Sequence, residues 1–282
     1  MGGIIWIASY PKSGNTWMRA FLHNLLRNPD KPVPINELTQ FTLGDTLAEF
    51  YEAAAGRPLD GMTDEDFAAL RPKVHRWFTT QSTDSVFVKT HMALAEVGGA
   101  STITMECTAG GIHIVRDPRD VALSAASHFG TDVDGAITIM NSPTARSKFD
   151  GINAPQYYGT WSQHVSSWMS VEHKQFITVR YEDMLERPGP TFGRVAKFLG
   201  LKPPPQRLVK AIRFSSFDVL QKQEKETGFI ERSDRTDKAF FRSGQSGQWR
   251  HDLTAEQIKR IEDAHADVMR KLGYVLSSET VA

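Results

Sequence analysis

The segment Tyr10-Pro11-Lys12-Ser13-Gly14-Asn15-Thr16-Trp17 lies between a short apolar run and a long amphipathic run. Residues 4–8 are apolar and rich in β-branched side chains, so they predict a buried strand. The apolar residues that follow recur at helical spacing, and Asn15 or Thr16 is a suitable cap for that helix. The chain is therefore predicted to open as strand, loop and helix.

The loop carries side chains that an anion site needs. Amides at a helix N-terminus bind phosphate, and Gly14 lets the backbone approach an anion closely. Lys12 adds a positive charge, and Ser13 and Thr16 add hydroxyl donors. The order differs from the P-loop of ATP-binding proteins, in which lysine follows the second glycine. The segment predicts a phosphate site, although an ordinary capped turn would contain similar residues.

Three further apolar runs, at 86–89, 112–115 and 176–179, predict additional strands. Helical patterns lie among them, with clear examples at 118–127 and 254–272. Continuous apolar strands that alternate with helices are typical of an α/β fold with a parallel β-sheet covered by helices on both faces. The length of 282 residues and the hydrophobic fraction of 40% fit a single domain over residues 1–282.

Three segments interrupt this alternation. Residues 29–82 and 131–158 are irregular apart from weak helices near 45–55 and 64–70, and we interpret both segments as acceptor-side insertions. Residues 226–252 are polar and glycine-containing, and they predict a long mobile loop that acts as a lid over a bound ligand. Seven side chains in the two insertions either form an apolar acceptor face or pack in the core: Phe41, Phe50, Tyr51, Trp77, Phe78, Met140 and Phe149.

The charge balance limits the possible partners. Lys plus Arg and Asp plus Glu both number 33, which disfavours binding to nucleic acid or to an acidic membrane. The single cysteine, Cys107, excludes an internal disulfide and fits a reducing compartment. No apolar run approaches the ~18 residues of a membrane span, and no secretory signal pattern is visible, so we expect a cytoplasmic protein.

Four blocks, in this order, resemble the PAPS-dependent sulfotransferases of the cytosolic type, where PAPS is 3′-phosphoadenosine-5′-phosphosulfate. Residues 11–17 resemble the family's P-K-S-G-T-T-W loop, with Asn15 in place of a threonine. Lys89-Thr90-His91 resembles its K-T-H block. Arg116 opens a block similar to R-N-P-x-D, and a serine follows eight residues later, as in the family.

The fourth block, residues 242–250, resembles the family's R-K-G-x-x-G-D-W-K. Ser243 replaces the lysine and Gln248 replaces the aspartate, so one cation of the 3′-phosphate site is missing. This departure predicts weaker binding of that phosphate. The resemblance spans roughly residues 4–273.

The resemblance implies a P-loop-like sulfotransferase fold and transfer of a sulfuryl group from PAPS to a hydroxyl group. It implies that His91 is the general base, that Lys12 stabilises the leaving oxygen and that Lys89 holds the sulfuryl oxygens. It implies no metal, and the sequence contains no motif or cluster of metal-ligating residues. The implied cofactor-binding residues are Lys12, Ser13, Gly14, Asn15, Thr16, Trp17, Arg116, Ser124, Tyr181, Ser215, Phe217, Arg242, Ser243 and Gly244.

Two other functions stay open. A P-loop-like kinase or phosphotransferase would need a lysine after the glycine and a metal-binding carboxylate. A non-catalytic relative would keep the nucleotide site but not turn over PAPS. The acceptor can be a small molecule, a peptide, a lipid or a sugar that carries a hydroxyl, and the sequence does not define the oligomeric state. Trp17 and Phe217 either flank the adenine or pack in the core.

Overall fold

The computed structural model describes residues 2–171, 174–232 and 238–279. The chain forms two compact units, each built from three segments of sequence. The first unit comprises Met1–Tyr10, Thr42–His113 and Met140–Thr178. The second unit comprises Pro11–Phe41, Ile114–Ile139 and Val179–Ala282. The organisation of residues 1–282 as a single domain stays a prediction.

A five-stranded sheet lies almost entirely in the first unit. The strands of the protein, in chain order, are β1 (Ile4–Ser9), β2 (Leu43–Gly44), β3 (Val86–Thr90), β4 (Glu96–Val97), β5 (Ala100–Ser101), β6 (Thr108–Val115) and β7 (Phe176–Arg180). The five-stranded sheet has the order β2-β3-β1-β6-β7, whereas β4 and β5 form a separate antiparallel pair. Strands β1 and β2 both run parallel to β3, and Ile7 is paired with Lys89.

Helices occupy most of the remaining sequence. In chain order they are α1 (Asn15–Arg27), α2 (Leu38–Phe41), α3 (Ala48–Ala55), α4 (Asp64–Thr80), α5 (Pro118–Phe129), α6 (Val133–Met140), α7 (Trp161–Met169), α8 (Tyr181–Glu186), α9 (Pro188–Phe198), α10 (Pro205–Phe214), α11 (Phe217–Thr227), α12 (Trp249–Asp252) and α13 (Ala255–Lys271). The predicted α/β fold with a parallel sheet flanked by helices is confirmed.

Long-range packing explains where the element bounds differ from those predicted. Helix α4 continues ten residues past the predicted end at position 70 and passes through Pro72. Proline disfavours helical backbone in the residue before it, which is why the pattern appears to stop there. Val74 and Phe78, which are buried in the core of the first unit, extend the helix beyond that point. The segment 131–158, predicted to be irregular, contains helix α6.

Trp6 on β1 is central to the core of the first unit. It is fully buried and its indole Nε1 donates to Thr108 Oγ1 at 2.9 Å. The core around it includes Tyr51 and Phe67, which belong to the predicted insertion 29–82. Much of that segment therefore forms the core of this unit.

The second unit contains a buried guanidinium at Arg119, at the start of α5. Its Nη2 lies 2.7 Å from Asp117 Oδ2 and its Nη1 lies 2.6 Å from Glu262 Oε1. The guanidinium also stacks over the Trp249 ring at 3.6 Å. Breaking a buried pair of this kind typically costs about 3–5 kcal/mol, so Arg119 connects α5, α12 and α13 firmly.

Candidate functional site

The chain enters α1 through a left-handed turn in the second unit. Lys12 has φ 67° and Gly14 has φ 107°. Gly14, not Asn15 or Thr16, is the N-cap residue, and no side chain caps the helix. The prediction that Asn15 or Thr16 caps α1 is therefore wrong, because both residues already lie inside the first turn. A helix that starts without a side-chain cap keeps its first amides directed toward a ligand.

Tyr181 and Arg116 pack against this turn. A Cβ atom on Gly14 would lie 2.8 Å from Tyr181 Cδ2, so only glycine allows the ring to come this close. The Arg116 guanidinium lies 4.4 Å from the centroid of the Tyr181 ring. Its Nη1 donates to the Lys12 carbonyl oxygen at 3.3 Å and its Nη2 donates to the Gln245 carbonyl oxygen at 2.9 Å. Arg116 thus connects the first block to the fourth.

Several polar atoms around the turn are buried and have no hydrogen-bond partner among the residues that the structure describes. They are Ser13 Oγ, Trp17 Nε1 and Arg116 Nε. Buried donors without partners are costly, by about 1–3 kcal/mol each, and are usually satisfied by water or by a ligand. These orphaned groups fit a site that is completed by a polar ligand.

A cleft with four basic side chains lies in the second unit, and we call it the cationic cleft. It is lined by Lys12, Ser124, Ser127, His128, Arg232, Lys238, Ala239, Phe240 and Arg242. Lys12, Ser124 and Arg242 belong to three different sequence blocks, and all three line this cleft. The Lys12 Nζ lies 3.7 Å from the centroid of the Phe240 ring. The lining of this cleft suits an anion.

Two carboxylates hold the fourth block and the residues just before it in place. Asp120 accepts hydrogen bonds from the amides of Gly247 at 2.6 Å and Trp249 at 3.0 Å. Glu224 accepts from the amides of Phe240 at 2.6 Å and Phe241 at 2.9 Å. Burial raises the pKa of Asp120, while Arg116 and the two bonded amides partly offset this effect. Carboxylates on the helices α5 and α11 therefore position this part of the loop.

The segment predicted to act as a lid, 226–252, is shorter than predicted. Helix α11 extends to Thr227 and helix α12 begins at Trp249, so the segment between these helices spans 228–248. Residues 233–237 lie outside the described part of the chain. The mobility of this segment, and its ordering by a ligand, stay predictions.

The two departures from the family pattern contact each other. The Ser243 hydroxyl donates to Gln248 Oε1 at 2.7 Å. The neighbouring Gly244 has φ 61°, and a Cβ atom there would lie 2.3 Å from Phe217 Cδ2. Phe217 therefore packs directly on the backbone of the fourth block.

Trp17, predicted to flank the adenine, and Ser215, another predicted cofactor-binding residue, both take part in packing or bonding within the helices. Trp17 packs edge-on against Tyr181, with ring centroids 5.5 Å apart, and against Phe192 at 5.8 Å. The Ser215 hydroxyl donates to the Ala211 carbonyl oxygen at 3.0 Å, at the end of α10. Trp17 thus combines core packing with an indole N–H that has no partner among the described residues.

His91, in the first unit, follows β3. Its Nδ1 lies 2.8 Å from the Ser9 carbonyl oxygen, which can only accept a hydrogen bond. Nδ1 therefore carries the proton, and the lone pair of the neutral ring is on Nε2. This tautomer is the one that a general base acting through Nε2 needs. Ser9 is three residues before Lys12 in the chain.

Two buried residues near this histidine and Lys89 were not predicted from the sequence. The Asp45 amide donates to the Lys89 carbonyl oxygen at 3.2 Å, and burial raises the pKa of Asp45 to about 6 against the opposing effects of Thr90, Arg71 and Lys89. Burial, followed by the charges of His113 and His91, keeps the pKa of His164 well below its usual value. No sequence motif indicates either residue, because their positions depend on pairing between distant segments.

Most of the aromatic side chains considered for an acceptor face lie in cores. Tyr51, Phe78 and Met140 are fully buried, and Phe41 stacks on His23 with ring centroids 4.6 Å apart. Trp77 is 43% exposed. Core packing therefore explains most of these residues.

Among the described residues, no group of three or more His, Cys, Asp or Glu side chains is placed to hold a metal ion. Within the same residues, no helix has the length and apolarity needed to cross a membrane.

Comparison with known proteins shows which family this chain belongs to. The sulfotransferase domain model matches residues 4–273. The 3-beta-hydroxysteroid sulfotransferase of Cavia porcellus is 24% identical over 163 residues, which cover 56% of this chain and 55% of that protein. The chain thus spans about half the length of this relative. Sulfotransferase 1A1 of Canis lupus familiaris is 25% identical over 277 residues, covering 95% of this chain and 83% of that protein.

Two solved structures have a similar fold. The structure of retinol dehydratase in complex with androsterone and the inactive cofactor PAP has a TM-score of 0.65 and 18% identity, covering 95% of this chain and 80% of that chain. The structure of mouse sulfotransferase SULT7A1 complexed with PAP has a TM-score of 0.63 and 18% identity. The match covers 95% of this chain and 85% of that chain. The chain belongs to the sulfotransferase domain family, which confirms the resemblance found in the sequence.

The left-handed turn is tested by Gly14→Ala. The new Cβ must displace the buried Tyr181 ring and adopt an unfavourable φ, so we expect a loss of roughly 1–3 kcal/mol in the free energy of unfolding. The matched control is Gly189→Ala, because a Cβ at Gly189 meets nothing within 4 Å. Gly189 lies in α9, so the control should keep the free energy of unfolding unchanged or raise it by up to about 1 kcal/mol. Urea unfolding measures both, and equal stability of the two variants would contradict the described turn.

Proposed function

We propose that this chain is a PAPS-dependent sulfotransferase that transfers a sulfuryl group to a hydroxyl of an acceptor and releases adenosine 3′,5′-bisphosphate. The observation that carries the proposal is the cationic cleft, in which Lys12, Ser124 and Arg242 from three separate blocks line one surface. The buried unpartnered atoms Ser13 Oγ and Arg116 Nε support it, because a phosphate ester would satisfy them.

The residues take separate roles in this proposal. The amides at the start of α1, together with Lys12 and Ser13, bind the 5′ end of the nucleotide. Arg116, Ser124 and Arg242 bind the 3′-phosphate, and the aromatic residues Trp17, Tyr181 and Phe217 contact the adenine. Asn15, Thr16, Ser215, Ser243 and Gly244 complete the proposed nucleotide-binding set.

The reaction needs alignment and charge stabilisation more than covalent catalysis. PAPS supplies the sulfuryl group. His91 Nε2 takes the proton of the acceptor hydroxyl as its oxygen forms a bond to sulfur. The bond between sulfur and the bridging oxygen breaks, and Lys12 stabilises the negative charge on that oxygen. Lys89 holds the sulfuryl oxygens, and no metal ion is required.

The acceptor class is supported by the relatives. Their names include a 3-beta-hydroxysteroid sulfotransferase, and the similar structures contain androsterone or retinol. An acceptor with a hydroxyl group on an apolar skeleton fits these names.

A cytoplasmic location is also part of the proposal. The free, buried Cys107 fits the reducing environment of that compartment.

The nucleotide assignment is tested by calorimetry with adenosine 3′,5′-bisphosphate and with AMP. The two ligands differ by the 3′-phosphate alone, and Arg116, Ser124 and Arg242 should make the bisphosphate bind at least about 100-fold more tightly, since hydrogen bonds to charged groups contribute about 1.5–3 kcal/mol each. Equal affinity for the two ligands would refute the 3′-phosphate site and with it the proposed function.

The proposed general base is tested by His91→Ala. Loss of a general base lowers kcat by about 10²-fold or more. Binding of the bisphosphate should stay within about twofold of the wild type, because the proposed role of His91 concerns only the acceptor proton. The assay follows labelled sulfate from PAPS into acceptor hydroxyls in the presence of EDTA. A His91→Ala protein with unchanged kcat would rule out this base.

A further inference from the structure

The cationic cleft contains an arginine that none of the four sequence blocks includes. Arg232 lines the cleft together with Ser124 and Arg242, the residues proposed to bind the 3′-phosphate. Arginine presents several N–H donors in one plane and often binds phosphate through two of them. Its position therefore suits the same anion as Arg242.

The residue at the position of the family's lysine cannot supply that charge. Ser243 is neutral, and its hydroxyl donates to Gln248 Oε1 at 2.7 Å. The fourth block thus has one positive charge fewer than the family pattern, and the pair that replaces the lysine and the aspartate is uncharged. A cation that takes the place of the missing lysine would have to come from another part of the chain.

The backbone before Arg232 is held by hydrogen bonds to α1 and its neighbourhood. Arg19, only 1% exposed, donates to both carboxylate oxygens of Glu231 at 2.8 and 3.0 Å. The Ile230 amide donates to Asn36 Oδ1 at 3.0 Å, and Asn36 Nδ2 donates to the Gly228 carbonyl oxygen at 3.3 Å. The segment that carries Arg232 is therefore positioned before any ligand binds, which lowers the entropy cost of a phosphate contact.

We propose that Arg232 is a phosphate-binding residue that replaces the cation missing at position 243. It contacts the 3′-phosphate of the nucleotide together with Arg242 and Ser124. The Arg232 side chain forms no ion pair with another described residue. Arg19 and Arg119, by contrast, are paired with Glu231 and Asp117. Lys238 lines the same cleft and adds to its positive potential. This inference rests on the proposed function, since it assigns a residue to the same nucleotide.

The test compares Arg232→Ala with wild type by calorimetry, using the bisphosphate and AMP as ligands. Loss of a charge-assisted contact to the 3′-phosphate should weaken bisphosphate binding by about 10-fold or more and leave AMP binding within about twofold. The matched control is Lys202→Ala, which removes an exposed positive charge between α9 and α10, outside the cleft. The control should change neither affinity by more than about twofold.

A second pair of variants tests whether positions 232 and 243 serve the same phosphate. Ser243→Lys restores the lysine of the family pattern, and it is measured in the wild type and in the Arg232→Ala protein. Two cations that share one phosphate are not additive. We therefore expect Ser243→Lys to increase bisphosphate affinity by a larger factor when Arg232 is absent.

The outcomes separate this inference from the proposed function. If Arg232→Ala leaves bisphosphate affinity unchanged while wild type still prefers the bisphosphate over AMP, the role of Arg232 is wrong and the proposed function stands. An equal loss of affinity for both ligands would also overturn the assignment of Arg232 to the 3′-phosphate. A wild-type protein that shows no preference between the two ligands would overturn the proposed function itself.

Discussion

The left-handed turn at Lys12 and Gly14 determines what the start of α1 can do. A side-chain cap would use the first amides of the helix, whereas this turn leads into α1 through a glycine that has no side chain to offer. A lysine in the left-handed region costs about 1–2 kcal/mol, so the surrounding structure must hold it there. Arg116, bonded to the Lys12 carbonyl oxygen, and the Tyr181 ring, packed on Gly14, do this.

In the second unit, buried carboxylates position the segment that carries the proposed phosphate-binding residue Arg242. Asp120 and Glu224 each accept two backbone amides of the segment that carries Arg242. A polar segment without regular structure is thus fixed at two points, one on α5 and one on α11. Because these carboxylates bind amides and not the basic side chains, Arg242 stays directed to the cleft that it lines.

The four predicted strands are confirmed, because each is a mainly apolar run with at least one side chain that is fully buried. The errors occur where distant contacts decide the local structure. The cap of α1 was misassigned because Asn15 is a good capping residue, but the backbone of Gly14 starts the helix one residue earlier. Helix α6 was not predicted. Asp132 accepts a hydrogen bond from the Gly135 amide at 2.8 Å at the start of this helix, but aspartate and glycine in this order are also typical of a loop.

The candidate site was predictable to the extent that it lies in contiguous motifs. Lys12, Ser124 and Arg242 are found by their blocks, and the cleft brings them together. Arg232 and Asp45 belong to no motif. The neighbour of Arg232, Glu231, is held by Arg19, and the Asp45 amide donates to the Lys89 carbonyl oxygen. The tautomer of His91 likewise depends on a carbonyl 82 residues away in the chain.

The most direct test of the central claim is a crystal structure of the protein with adenosine 3′,5′-bisphosphate. The account predicts the 5′-phosphate on the first amides of α1, beside Lys12 and Ser13. It predicts the 3′-phosphate in the cationic cleft within hydrogen-bond distance of Ser124 and Arg242. A bisphosphate bound with its 3′-phosphate in solvent, or bound away from the start of α1, would contradict the account.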